Sequence, residues 1–223
     1  MADVYSIDGK KAGKIDLPGV FSTEYRPDLI QRGAVALQSS RRQPYGVSPD
    51  AGLQTTAEYY GRRKGAYRMT INKGMSRLPR EKTGGGGLGK VRRVPQSVGG
   101  RRSHPPRGKD YTKKINSKEY TKALESAIAS TKNNLIIVED KLEGMSKTKE
   151  IIGFLSSLKV EPKNLLLVVG RDGGILKAAS NVEGVQCVLV DELDVEQLTP
   201  AAGIPRRTIW TKSAIEVLSK NGS

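Results

Sequence analysis

Residues 165–190 read LLLVVGRDGGILKAASNVEGVQCVLV, and the order of residue types in this stretch decides the fold. Leu165 to Val169 is an uninterrupted aliphatic run. A second run, Val185 to Val190, follows the turn Gly170-Arg171-Asp172-Gly173-Gly174 and a short helical segment from Ile175 to Ala179. Strands that are apolar on both faces sit inside a sheet covered on both sides, the arrangement of parallel strands joined by helices. The pattern continues on either side. Leu135 to Val138 is another aliphatic strand, and Ile151, Ile152, Leu155 and Leu158 mark one side of a helix between it and Leu165. Downstream come a short helix from Val195 to Leu198, a strand at Thr208 to Trp210 and a last helix through Ala214 to Leu218. Upstream, Asn116 with Glu119 has the spacing of a capping box for a helix carrying Tyr120, Ala123, Leu124, Ala127 and Ile128. Near the start, Val4-Tyr5-Ser6-Ile7 and Lys14-Ile15-Asp16-Leu17 flank a turn at Asp8-Gly9-Lys10-Lys11. Pro27 then opens a helix with Leu29, Ile30, Ala34 and Leu37 at helical spacing. The expected fold class is α/β, a mostly parallel sheet with helices on both faces.

Between Arg41 and Lys114 this pattern stops. Residues 1–40 and 115–223 form the expected globular domain, and residues 41–114 an extended basic loop inserted in it. The insert holds 19 Lys and Arg against Asp50, Glu58, Glu81 and Asp110, while the other 149 residues hold 19 basic and 19 acidic groups. The formal net charge of +15 therefore belongs wholly to the insert. A surplus of this size calls for a polyanionic partner. The insert also holds 13 of the 25 Gly and 6 of the 11 Pro, but only eight Val, Leu or Ile. It cannot bury enough apolar surface to offset about 1 to 2 kcal/mol of backbone entropy per ordered residue, so it is expected to fold on its partner. Five of the eight Tyr (Tyr45, Tyr59, Tyr60, Tyr67, Tyr111) lie among its arginines. Aromatic rings and guanidinium planes stack on unpaired bases, and Arg forks match phosphates, so the composition favours RNA over a solvated linker. The candidate RNA contacts are Arg41, Arg42, Tyr45, Arg62, Arg63, Lys64, Arg68, Arg77, Arg80, Lys82, Lys90, Arg92, Arg93, Arg101, Arg102, His104, Arg107, Lys113 and Lys114.

Other chemistries find less support. No apolar run approaches the length of a membrane span, and Met1 to Lys14 has no apolar signal region, which points to a soluble, unsecreted chain. Cys187, the single cysteine, rules out an intramolecular disulfide and reads as a buried strand thiol. Gly84-Gly85-Gly86-Gly87-Leu88-Gly89-Lys90-Val91 comes within one residue of a phosphate-binding loop. Val91 stands where a magnesium-binding hydroxyl is needed, no apolar strand precedes the glycines, and Pro95 obstructs a following helix. The glycines fit better as backbone that must turn or pass through a narrow space. Gly170 to Gly174 could bind an anion but reads more simply as a strand-to-helix turn. His104 is the only histidine, which excludes His-based metal clusters, and the acidic run Asp191, Glu192, Asp194, Glu196 is explained by capping at Asp194 and by solvation. No grouping of nucleophile, base and orienting residue emerges, so no enzyme, cofactor or metal is expected. A nucleotide-dependent enzyme using one of the glycine segments and a single-stranded RNA chaperone or regulator are the competing readings.

Several ordered motifs resemble one family, ribosomal protein four of the large subunit in its archaeal and eukaryotic form. They are Arg41-Arg42-Gln43-Pro44-Tyr45-Gly46, Gly52-Leu53-Gln54-Thr55-Thr56-Ala57-Glu58, Arg77-Leu78-Pro79-Arg80, Gly99-Gly100-Arg101-Arg102-Ser103-His104-Pro105-Pro106 and Lys113-Lys114-Ile115-Asn116-Ser117-Lys118-Glu119. Ala201-Ala202-Gly203-Ile204-Pro205 and Thr208-Ile209-Trp210-Thr211-Lys212-Ser213-Ala214 fit as well. The resemblance implies a cytoplasmic protein of the large ribosomal subunit that binds 23S-type rRNA, supports subunit assembly and contacts neighbouring ribosomal proteins. It further implies a loop threaded through the RNA, its tip lining the narrow part of the nascent-peptide exit tunnel near ribosomal protein twenty-two. By motif, that tip is Arg80, Glu81, Lys82, Thr83, Gly84, Gly85, Gly86 and Gly87, reaching to Lys90. Relatives carry extra residues before the strand at Leu135 and a second basic insertion where this chain has only Val160-Glu161-Pro162-Lys163-Asn164.

Overall fold

The computed structural model describes residues 2–60, 69–200 and 204–221. Its contacts divide the chain into two compact units, one of Met1–Arg41 with Thr112–Ser223 and one of Arg42–Tyr111. In chain order the strands and α-helices are β1 (Ala2–Tyr5), β2 (Lys11–Ile15), α1 (Pro27–Arg41), β3 (Arg80–Lys82), β4 (Leu88–Val91), α2 (Ser117–Ser130), β5 (Leu135–Val138), α3 (Thr148–Ser157), β6 (Leu165–Val169), α4 (Ile175–Ala179), β7 (Val185–Leu189), α5 (Val195–Leu198), β8 (Arg207–Thr211) and α6 (Lys212–Asn221).

In the first unit six strands form one sheet in the order β2-β1-β5-β8-β6-β7. Only β1 and β2 are antiparallel; β1 with β5, β5 with β8, β8 with β6 and β6 with β7 are all parallel. Alternate residues of each central strand enter different cores. Ile137, Leu166, Val168, Val188 and Trp210 pack with Ile30 of α1, Ala123, Ala127 and Ile128 of α2, Val195 and Leu198 of α5, and Ala214 and Ile215 of α6. Val138, Leu165, Leu167, Val169 and Ile209 pack with Ile151, Phe154 and Leu155 of α3 and Ile175, Ala178 and Ala179 of α4. Both faces of the sheet are thus covered, as the aliphatic runs require. Trp210 meets Phe21 edge to face, ring centroids 5.5 Å apart.

Local signals set the helices. Pro27 is the first residue of α1, and the α2 capping box is made by Asn116 and Glu119 in both directions. Asp194 and Gln197 make a second capping box at α5. A Cβ on Gly33 would lie 3.4 Å from Ala123 Cβ, so α1 and α2 approach closely there. The N-terminal hairpin is shifted from its expected bounds: Ser6 to Lys10 forms the turn, Ser6 N donating to Lys10 O at 2.8 Å, and β2 begins at Lys11.

The second unit differs from the expectation of an insert without regular structure. Its β3 and β4 form an antiparallel hairpin, with the glycines as its turn, and Glu58 and Arg80 exchange two backbone hydrogen bonds of 3.1 and 3.0 Å beside it. Ala57, Thr70 and Pro79 are buried around this structure. The contacts that join it are backbone pairing and ion pairs, which hydrophobic counting does not register.

Candidate nucleic-acid interface

The hairpin turn supplies a reason for the glycine run. Gly85 and Gly86 have φ of 73° and 85°, in the left-handed region that L side chains rarely adopt. A Cβ on Gly89 would lie 3.0 Å from Glu81 O and 3.1 Å from Glu81 Cβ, so the facing strand leaves no room for a side chain. Where a nucleotide-binding loop would lead into a helix, β4 follows instead.

Four basic residues of this region, Lys82, Arg92, Arg93 and Arg80, are engaged within the unit. Lys82 Nζ pairs with Glu58 Oε1 at 2.9 Å, and Arg92 Nε with Glu81 Oε1 at 2.9 Å, while Arg92 Nη1 donates to Val98 O. Arg93 Nη1 donates to Ala57 O at 3.2 Å. Arg80 is half-buried, donating from Nη2 to Ser76 Oγ at 3.0 Å, with its Nε buried and without a partner among the described residues. Glu58 and Glu81, absent from the candidate contacts, are therefore the residues that organise the hairpin. Their scarcity was the available signal, since they are two of only four acids in the insert.

The chain segments entering and leaving this unit run side by side. Arg42 stacks on Tyr111, its guanidinium carbon 4.1 Å from the ring centroid. Val47 N donates to Pro106 O at 3.1 Å, and a Cβ on Gly46 would meet Gly108 N at 2.8 Å. Arg77, Lys90, Arg101, Arg102, His104 and Arg107 are exposed and form no ion pair with another described residue; Tyr45 is also exposed. Arg62, Arg63, Lys64 and Arg68 lie outside the described residues.

In the first unit, Arg41 ends α1 and is held by two carboxylates, Asp194 Oδ2 and Glu196 Oε2, each at 2.7 Å. Gln38 Nε2 donates to Glu196 Oε1 at 3.1 Å, and Tyr120 OH to Asp194 Oδ1 at 3.1 Å. Burial, then the Asp194 charge, pushes the Tyr120 phenol up to about 12. Arg41, grouped above with the RNA contacts, thus has protein partners. Lys113 and Lys114 are exposed, and Lys113 N donates to Ser39 Oγ at 3.1 Å.

The turn after β6 is occupied by protein. Gly170 N donates to the nearly buried Glu143 carboxylate at 3.0 Å, which also accepts from Thr211 Oγ1 at 2.8 Å and from Ser213 Oγ. The backbone donor an anion would need there already faces an anion. Cys187 is half-buried in β7, and burial pushes its thiol up to about 12, away from the reactive thiolate. Among the described residues no group of three or more His, Cys, Asp or Glu could hold a metal ion, and no helix is long and apolar enough to cross a membrane.

Comparison with known proteins adds a further observation. The profile of the ribosomal protein L4/L1 family matches residues 15–221. The large ribosomal subunit protein uL4 of Archaeoglobus fulgidus is 37% identical over 260 positions, covering 98% of each chain. Its counterpart from Methanoculleus marisnigri is 38% identical with the same coverage, and that from Methanosphaera stadtmanae 36% identical over 97% of this chain and 95% of its own. With 260 aligned positions and 223 residues in the chain, at least 37 positions of the alignment with the Archaeoglobus fulgidus protein have no residue here.

Proposed function

The chain belongs to the ribosomal protein L4/L1 family, and from that premise we propose that it is a structural constituent of the large ribosomal subunit that binds its rRNA and neighbouring proteins. It is not an enzyme; the family is one of structural ribosomal proteins. The observation that carries the reading is the separation of charge: residues 41–114 hold 19 basic groups against four acidic ones, and the rest of the chain is neutral. The two-faced core lets the first unit fold without a partner, while the insert meets the RNA, neutralises phosphates and releases counterions.

In this reading the insert is an extended basic loop that docks in cytoplasmic subunits and supports their assembly. The turn of the β3–β4 hairpin, Arg80 to Gly87, lines the nascent-peptide exit tunnel. Successive glycines with positive φ support this, because they make the turn narrow enough to pass between RNA helices. The test is sedimentation of large subunits through high salt, followed by replacement of the protein with a chain lacking residues 62–107. Retention in salt-washed subunits and failed assembly with the shortened chain are expected. Release by salt would favour a regulator acting off the ribosome, and normal particles containing the shortened chain would overturn the role of the insert.

A further inference from the structure

We propose that the second unit carries a slot for one unstacked nucleotide, between β4 and the double turn that follows it. A cavity of about 540 Å³ opens there, lined by Lys90, Val91, Arg92, Ser97 and Val98. The slot rests on the RNA-binding role proposed above and names the part of the RNA that it takes, an unpaired base with its phosphate.

The double turn is built to hold one apolar side chain outward. Ser97 N donates to Val94 O at 3.2 Å and Gly100 N to Ser97 O at 3.1 Å, so two tight turns share Ser97. The Ser97 hydroxyl also donates to Val94 O, at 2.9 Å. Gly99, third in the second turn, has φ of 74°, the left-handed value that a type II turn needs there. Neither glycine has room for a side chain: a Cβ would lie 2.2 Å from Arg92 Nη1 at Gly99 and 2.0 Å from Val94 O at Gly100. Arg92 braces the turn against the hairpin, donating from Nη1 to Val98 O while its Nε pairs with Glu81 Oε1. On this frame Val98 is 91% exposed, the most exposed large apolar side chain among the described residues.

A lone exposed valine on a loose loop calls for no explanation. Val98 differs, because its backbone is already braced, which lowers the entropy lost on binding, and because Val91 lines the same cavity. The lining also selects the occupant. Val91 and Val98 offer apolar walls to the flat faces of a base. Lys90 is exposed, forms no ion pair with another described residue, and offers its charge to a phosphate. The Arg92 guanidinium is committed to Glu81 and Val98 O, so it shapes the slot and leaves the phosphate to Lys90. The exposed Arg101 and Arg102 follow the turn directly, and an apolar cavity set among cations matches a nucleotide better than an apolar peptide. A base stacked within a duplex has both faces covered, so the slot takes a bulged or looped nucleotide.

The test is a fluorescence titration of the full chain into an RNA stem-loop with a single bulged 2-aminopurine, and in parallel into the same stem-loop fully paired. Tighter binding of the bulged RNA is expected, with a rise in emission as the base leaves the stack. V98A removes both γ-methyl groups and should weaken binding of the bulged RNA roughly five- to fifteenfold, by the same factor at every salt concentration. Its binding of the paired RNA should match that of the wild type. K90Q should instead make the slope of log affinity against log salt shallower by about 0.7 to 0.9. Equal wild-type affinity for the two RNAs, no rise in emission, or a V98A chain that binds the bulged RNA as well as the wild type would overturn the slot and leave RNA binding by the insert intact. A short neutral apolar peptide that abolishes the preference for the bulge would assign the cavity to a polypeptide and overturn the slot as well. A wild-type chain that binds neither RNA would overturn both readings.

Discussion

Two arginine sites in the insert carry the same charge and should do different work. Arg101 and Arg102 are exposed and form no ion pair with another described residue, whereas Arg92 is about 25% exposed and bound to Glu81 Oε1 and Val98 O. If the exposed arginines meet phosphates, R101Q/R102Q removes two contacts. Each contact contributes about 0.7 to 0.9 to the slope of log affinity against log salt, so the slope should become shallower by roughly 1.4 to 1.8. Between 50 and 200 mM salt, a fourfold change, the wild-type affinity should then fall about tenfold further than that of the variant. R92Q should leave the slope nearly unchanged. It instead removes a charge-assisted bond that is partly shielded from water and loosens the hairpin by about 1 to 2 kcal/mol. Filter binding or fluorescence anisotropy across a salt series measures the slopes, and amide exchange at Leu88 to Val91 reports the hairpin. A large slope change for R92Q together with none for R101Q/R102Q would refute the assignment of these arginines.

Gly89→Val tests the close cross-strand approach. A side chain 3.0 Å from Glu81 O forces the strands apart, at a cost of about 1 to 3 kcal/mol, and should appear as faster amide exchange across the hairpin while the core amides of β6 are unaffected. Tyr120 predicts a pH effect on the first unit. Its phenol is raised from 10.0 to about 12 in the folded chain, so its contribution is complete below pH 10 and lost as pH rises from about 10 to about 12. Urea midpoints should fall more steeply across that window for the wild type than for Y120F; parallel curves would show that the phenol does not titrate as described.

The first unit was legible because its signals are redundant. Leu165 to Val169 is apolar at every position, and the sheet buries every one of those residues, dividing them alternately between two cores. Pro27, Asn116 with Glu119, and Asp194 fix helix starts through local chemistry that needs no knowledge of the rest of the chain. The insert was legible in its charge and in the glycines that make its turn, but not in its pairing. Its hairpin rests on three-residue and four-residue strands and on pairs such as Lys82 with Glu58, separated by 24 residues in sequence, which no periodicity marks. A cavity of the first unit, lined by Lys159, Lys163, Arg206 and Arg207, was hidden for a related reason. Its cations come from two places in the chain, Lys159 and Lys163 between α3 and β6 and Arg206-Arg207 at the start of β8, and are neighbours only because β6 and β8 pair in parallel with Leu165 opposite Arg207.

The placement of the few acids in the insert then acquires a physical sense. A segment with this much positive charge resists compaction until a polyanion neutralises it, yet a tip with the role proposed for this one gains from being shaped beforehand. Glu58 and Glu81 reconcile the two demands. Each faces a cation of the hairpin, Lys82 or Arg92, across a strand-like pairing rather than along the chain, so each lowers local repulsion only when the hairpin is formed. The exposed cations, Arg77, Lys90, Arg101, Arg102 and Arg107, form no ion pair with another described residue. Charge that shapes the element is compensated within the protein, and the exposed charge is what the proposed function assigns to the RNA.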